Sequence, residues 1–310
     1  MLLRRFTDFV LRGRLQAIGA AFVLSLVPLF GASMGVLVAA FVTLRRGALE
    51  GTLVLCAVIA PYLLSYAISP KAAQPQLMMV ATVTIIAINV LTGLLAVILR
   101  RYSNWNLVIE ASILAGVVLV CIIHLVFPEV QNWWGAELTA YLKKTAAMIG
   151  QFAPDEANAQ EALQANMIAS IKRYITGFVI ASVIFNALLQ LVIARWWQAI
   201  IFNPGGLRKE LHQIRLSYIS ASVFIAVLGL AYIDNPFSLD MMPIMVTAFC
   251  AAGLSLIHCL LLSNKAGWFW LILVYLGMIF VFPAGIIFIA MTGLLDSLFN
   301  LRKHLRRMNP

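Results

Sequence analysis

The sequence predicts an all-α fold, a polytopic transmembrane helical bundle of about ten spans with both termini in the cytoplasm. Three observations predict it. Of 310 residues, 63% are hydrophobic and 11% are charged, with a mean hydropathy of +0.96. Soluble domains run near 25% charged and about 45–50% apolar, so a soluble sphere of this size could not hide the excess. The apolar residues gather into runs of roughly 20, the length that crosses a bilayer core as a helix. The charged residues, 22 Lys+Arg against 12 Asp+Glu for a formal +10, sit in short basic clusters beside those runs, as orientation in a bilayer requires. These features exclude a secreted disulfide scaffold, a disordered tail protein and a soluble nucleic-acid binder. Cys56, Cys121, Cys250 and Cys259 all lie inside apolar runs, with neither zinc spacing nor a disulfide framework. They read as small buried hydrophobes.

The elements follow in order. Arg4-Arg5-Phe6 faintly resembles a twin-arginine export signal, but the apolar run after it is too long for a cleaved leader and no small-residue cleavage site follows. A retained signal-anchor is expected. The run 15–44 is too long for one ordinary helix and is interrupted by Pro28, Gly31 and Gly35. It reads as a hairpin of two short helices. Single spans are expected over 48–69, 77–99 and 107–127. In the last of these, Glu110 is expected to pair with Arg100 and Arg101.

The stretch 128–172 is the longest polar segment, carrying Glu129, Glu137, Asp155, Glu156 and Glu161. Leu138, Leu142, Thr145, Ile149 and Phe152 recur at helical spacing, as do Leu163, Met167 and Ile171 after a helix-start signal at Pro154-Asp155. An amphipathic helical hairpin on the outer face is expected, serving as a connector that shields the mouth or as a lid or docking surface.

A span at 173–194 leads to a cytoplasmic interfacial loop at 195–215. There Asn203-Pro204-Gly205-Gly206 is a turn signal, with no phosphate-loop spacing. Leu207, Leu211 and Ile214 then share one face, flanked by Arg208, Lys209 and Arg215. This pattern suits a helix lying on anionic headgroups or a surface for a soluble partner. Spans at 216–233 and 241–262 follow. The final run, 267–300, is broken by Pro283 and Gly285 and reads as a second hairpin. The basic residues test this count. With two hairpins, 17 lie inside and 5 outside; with two single spans the split is 13 against 9 at best. The positive-inside rule favours the hairpins. All seven tryptophans fall at predicted span ends, where amphipathic rings prefer to sit.

Polar residues inside apolar runs are the candidate sites, because each is costly in hydrocarbon. Thr292, Asp296, Asn300, Lys303 and Arg307 form one helical stripe, on which Asp296 is expected to pair with Lys303. The pair either seats the last helix or serves a ligand or proton. Ser182, Asn186 and Gln190 form a second stripe, and Thr82, Asn89 and Gly93 a third. Amides in hydrocarbon need partners, so these seams either pack on each other or enclose a small polar substrate. His258, near Ser255, and His124 fall on opposite sides of the membrane and read as helix-end hydrogen-bonding groups. No His-Glu-x-x-His, nucleophile elbow or Walker sequence occurs, so neither catalytic residues nor cofactors are expected.

Two segments carry a family resemblance. One runs Ala194-Arg195-Trp196-Trp197-Gln198, then Asn203-Pro204-Gly205-Gly206-Leu207-Arg208-Lys209-Glu210-Leu211-His212 to Arg215-Leu216. The other runs Gly293-Leu294-Leu295-Asp296 through Phe299-Asn300-Leu301-Arg302. Together they resemble the YybS-like family of bacterial membrane proteins over most of the chain, apart from 128–172. That family brings no established activity. Its build is similar to the substrate-binding components of energy-coupling-factor vitamin transporters and, more distantly, to MreD-type cell-shape proteins. The resemblance implies an inner-membrane protein. Its partners would be the lipid bilayer and either a separate ATPase or cell-envelope proteins. Broken helices are the best sequence pointer to a membrane binding site, so binding or transport of a small molecule is expected. Asp296, Asn300, Asn186, Gln190 and Asn89 are the candidate ligands, and Arg208, Lys209 and Arg215 the candidate partner contacts. A non-transporting envelope scaffold is the alternative.

Overall fold

The computed structural model describes residues 2–27, 30–68, 75–150, 166–261 and 267–303. Among these, all regular structure is helical. The helices are α1 (Leu2–Arg12), α2 (Arg14–Ser25), α3 (Gly31–Arg46), α4 (Ala48–Ile68), α5 (Pro75–Tyr102), α6 (Trp105–Val126) and α7 (Val130–Gly150). After them come α8 (Ile175–Phe202), α9 (Gly206–Leu211), α10 (Tyr218–Tyr232), α11 (Pro236–Leu261), α12 (Gly267–Phe280) and α13 (Ala284–Phe299). Five of these, α4, α5, α6, α8 and α11, are long and apolar enough to cross a membrane. Their ends carry local signals. The Asn104 side chain accepts from the Asn106 N–H at the start of α6, and Ser217 accepts from the Ser220 N–H at the start of α10, each meeting one of the donors a helix start leaves open.

Both overlong runs fold back. The first breaks between Ser25 and Gly31, the second between Phe280 and Ala284. Pro283 is the residue before α13, whereas Pro28 lies outside the described residues. The first break sits deep in the bundle. Ser33, two residues into α3, faces Gln190 at 3.5 Å. Gln190 is twelve residues from the end of α8, or about 18 Å at helical rise. Tyr62 of α4 donates to the Ser25 carbonyl at 3.0 Å, satisfying an acceptor that the broken ladder leaves open. The α2–α3 hairpin therefore reaches only to mid-depth. The second break is capped by exposed apolar residues, Phe280, Val281 and Phe282.

Two cores hold the bundle. The larger joins α5, α6, α8, α10, α11 and α13, with Phe224 stacked on Phe249 at 4.8 Å. The smaller joins α1 to α4 around Phe41. Helix α8 serves both, because Trp197 stacks on Phe41 at 4.2 Å and donates to Thr7 Oγ1 at 2.8 Å. Outward, large apolar side chains such as Leu114, Leu125, Phe178, Phe185 and Phe288 are exposed, as a lipid-facing surface requires.

Several sequence expectations need correction. Trp197 is not an interfacial ring, since α8 continues to Phe202 and carries it into the smaller core. Trp105 is likewise buried. Glu110 pairs with neither Arg100 nor Arg101; its carboxylate accepts from the Ser217 N–H at 2.7 Å and reaches Ser220 Oγ at 3.3 Å, at the start of α10. Of the cysteines only Cys250 is buried, and Cys56 is exposed. Leu207 and Ile214 are buried and Leu211 is packed against the same core, so the apolar face of 207–216 covers the end of the bundle. In the 128–172 stretch, α7 and a helical turn at 166–171 are present. Phe152, Pro154, Asp155, Glu156, Glu161 and Leu163 fall outside the described residues, as does Arg307 of the last stripe.

Candidate functional site

The polar residues collect at three depths. At mid-depth, α3, α5 and α8 bring together Ser33, Thr92 and Gln190, and Asn89 lies on α5 at the same depth. The Thr92 hydroxyl lies 2.8 Å from Gln190 Oε1 and from the carbonyl of Ile88, and Gln190 Nε2 reaches Ser33 Oγ at 3.5 Å. Asn89, one turn before Thr92, is fully buried. Neither its Nδ2 nor its Oδ1 has a partner. Leaving a buried polar group unpaired costs about 1–3 kcal/mol, so an idle carboxamide in a membrane core calls for an explanation. Asn89 thus holds its NH2 donors and its carbonyl oxygen in reserve, and none of these four residues is charged.

Asn186 behaves differently from its stripe-mate Gln190. It is half-buried and donates to the Ser182 carbonyl of its own helix at 2.9 Å. Gly93 faces Leu55 of α4, and Thr82 returns its hydroxyl to the Met78 carbonyl.

At one end of the bundle, Asp296 is buried to 1% exposure and its Oδ2 accepts from Arg302 Nε at 2.8 Å. The pairing is with Arg302, not Lys303, which corrects the sequence expectation. Arg302 is the fastener of this end. It also donates to the carbonyls of His212 and Ile214, and to Ser255 Oγ at 3.2 Å. Arg215 adds to it, with Nε donating to the Asp296 carbonyl at 3.0 Å and Nη2 to the Ser297 carbonyl at 2.9 Å. Asn300 closes α13 in the left-handed region, φ 52°, a place asparagine takes more readily than most residues. Asp296 Oδ1 is buried without a partner. Arg208 and Lys209 are exposed on α9, whereas Arg215 is committed inward.

Beside this fastener, Arg195 grips Glu210 with two nitrogens, at 3.1 and 2.5 Å, and Trp105 Nε1 donates to the same carboxylate at 3.0 Å. Burial pushes the Glu210 carboxyl up, but the hydrogen bonds from Arg195 and Trp105 and the Arg195 charge together hold it below its ordinary value. His212 is held below its ordinary value by burial and then by the charges of Arg208, His258 and Arg302.

At the opposite end of the bundle lies a pair that sequence reasoning missed. His124 Nε2 of α6 is 2.8 Å from Asp240 Oδ2 of α11, and the two side chains are 6% and 1% exposed. Asp240 Oδ1 accepts from the Gly177 N–H at 2.8 Å. A Cβ at Gly177 would strike the Asp240 carbonyl, so only glycine lets α8 approach this closely. The available signal was that His124 and Asp240 end two predicted spans in the same leaflet. The other histidine, His258, bonds the Leu254 carbonyl through Nδ1 and meets the Tyr275 hydroxyl at 3.3 Å. Among the described residues, no three His, Cys, Asp or Glu side chains converge as metal ligands would.

No protein-family model, curated protein or solved structure matches the chain.

Proposed function

We propose that the chain is a bacterial inner-membrane protein that binds, and by moving helices transports, a small neutral polar solute in the seam of Ser33, Asn89, Thr92 and Gln190. The observation that carries this reading is the Asn89 carboxamide, fully buried with donor and acceptor both unused. A solute bearing its own donor and acceptor, such as an amide or a ring lactam, would complete it. The absence of any charge among these four residues favours a neutral solute, since a buried ion needs a counter-charge.

The mid-depth end of the α2–α3 hairpin supports a binding role, because broken helices in membranes are tolerated where they meet protein or a cavity. Ten membrane-embedded helices with both termini inside are the arrangement that the basic-residue bias supports. The resemblance to the YybS-like family, with its likeness in build to transporter substrate-binding components, points the same way. Any energy source would be an ion gradient or a separate ATPase. We assign Asp296, Asn300 and Arg215 to fastening the inner end rather than to the solute. A scaffold reading rests on the exposed Arg208 and Lys209, which are placed to meet a cytoplasmic partner.

Native mass spectrometry of the purified full chain tests the proposal. A retained small-molecule mass is expected in the wild type and its loss in Asn89→Leu, with no loss of thermal stability. If the wild type carries only lipid, or Asn89→Leu retains the same mass, the solute site is wrong.

A further inference from the structure

The inner ends of α3 and α8 frame a second site that the mid-depth seam does not use. A cavity of about 160 Å³ opens there, lined by Arg45, Arg195, Gln198, Phe202, Asn203 and Glu210, among others. Arg195 and Glu210 neutralise each other across their two-nitrogen pair, and Arg195 also donates to Gln198 Oε1 at 2.5 Å. Arg45 is uncommitted. Its guanidinium carbon lies 3.8 Å above the Phe202 ring centroid, and among the described residues no carboxylate pairs with it. Stacking on a ring holds a guanidinium by its face and leaves its N–H edge available for in-plane bonds. The lining therefore has one net positive charge, a planar fork of donors with no acceptor, and two amides beside it. That is the chemistry of a phosphate-type anion site.

The surroundings select the kind of phosphate. A cavity of this size admits a phosphate with a few attached carbons and is too small for a nucleotide. Phe202, which lines the cavity and is itself an exposed apolar side chain, offers apolar contact to the carbons attached to the phosphate. Basic pockets between helix ends on the cytoplasmic side are suited to lipid headgroups. We propose that this cavity binds the phosphodiester headgroup of an anionic phospholipid, held by the Arg45 guanidinium on its Phe202 platform. The proposal needs the bundle to be membrane-embedded and is independent of the solute site.

The experiment uses the purified full chain in mixed micelles of equimolar phosphatidylglycerol and phosphatidylcholine, read by native mass spectrometry. Bound lipid on the wild type is expected to be enriched in phosphatidylglycerol. Arg45→Gln should lower that occupancy roughly fivefold, the factor matching about 1 kcal/mol per basic residue at an anionic surface. Its thermal midpoint should stay close to the wild-type value, because Arg45 is exposed and its stacking partner, Phe202 at the end of α8, is exposed as well. Arg101→Gln, which removes an exposed arginine at the end of α5, should leave the lipid ratio unchanged. No preference in the wild type, or an equal loss in the two variants, would overturn the proposal by showing only diffuse attraction. Millimolar inorganic phosphate is the second arm. If it displaces phosphatidylglycerol and stabilises the wild type but not Arg45→Gln, the site takes soluble phosphate and the lipid assignment is wrong.

Discussion

Arg302 illustrates how one side chain can govern the end of a bundle. Its guanidinium is shared between Asp296, two carbonyls of the loop after α9, and Ser255 of α11. Removing the carboxylate leaves a buried cation with only neutral partners, a loss of about 3–5 kcal/mol for a buried pair. Asp296→Leu should therefore unfold far more readily than wild type, and Asp296→Asn should fall between them, when purified proteins are compared by thermal or denaturant unfolding. A wild-type midpoint for Asp296→Leu would refute the fastening role. Asn89 predicts the reverse. Because its carboxamide is unpaired, an apolar replacement of similar size removes a penalty, so Asn89→Leu should be at least as stable as wild type. Glu210 and His212 each contribute to the response to acid. Each has a folded pKa below its ordinary value of 4.5 and 6.5, respectively. The unfolded chain then takes up the proton first, so stability is full above the ordinary value and drains as pH falls through the folded one. In unfolding midpoints measured against pH, His212 should contribute a decline beginning near 6.5 and Glu210 one beginning near 4.5. Glu210→Gln should flatten the lower part of the curve, and an unchanged slope would show that Arg195 and Trp105 do not hold the carboxylate.

Helix contacts are governed by close approach. Gly253 of α11 faces the Ile289 carbonyl and Thr292 Oγ1 of α13, and Gly293 of α13 faces the Phe249 carbonyl of α11. A Cβ on either would collide with backbone, which cannot rotate away as a side chain can. Small residues let membrane helices pack where no hydrophobic drive separates lipid from protein. Gly293→Val should thus push α13 off α11 and cost about 1–3 kcal/mol or more, seen as a lower unfolding midpoint; a tolerated valine would mean the contact is loose. The His124–Asp240 pair joins α6 to α11 in the same way, through a buried polar link. Each single leucine replacement strands the partner, whereas the double replacement strands only the Gly177 N–H. The double variant should be more stable than the sum of the singles implies, and simple additivity in a double-mutant cycle would deny the coupling.

The proposed orientation of the bundle rests on where its cations lie. Single cysteines at Asn132 and Gly205, introduced into a background without the four native cysteines, should label from opposite sides of sealed membranes. Labelling of both from one side would break the proposed topology and with it the cytoplasmic placement of the Arg195–Glu210 cluster.

Helix type, the ends of α4, α5 and α6 to within about three residues, and both breaks were legible in the sequence, whereas α8 runs eight residues past its expected end at 194 and α11 begins five residues before 241. They depend on local quantities: apolar run length, the position of proline and glycine, and the cost of burying backbone without hydrogen bonds. Partner choice was not legible. Asp296 takes Arg302 because Asn300 turns the chain back after α13, which a straight helical stripe toward Lys303 could not foresee. Trp197 turns inward because α8 runs on past its apolar span. Asn186 satisfies itself while Gln190, one turn later, meets Thr92 and Ser33. His124 finds Asp240 across more than a hundred residues. Each outcome depends on the rotation and depth of one helix against another. Successive residues on a helix point about 100° apart, so a small change in packing hands a polar side chain to a different neighbour, and only the assembled bundle decides which.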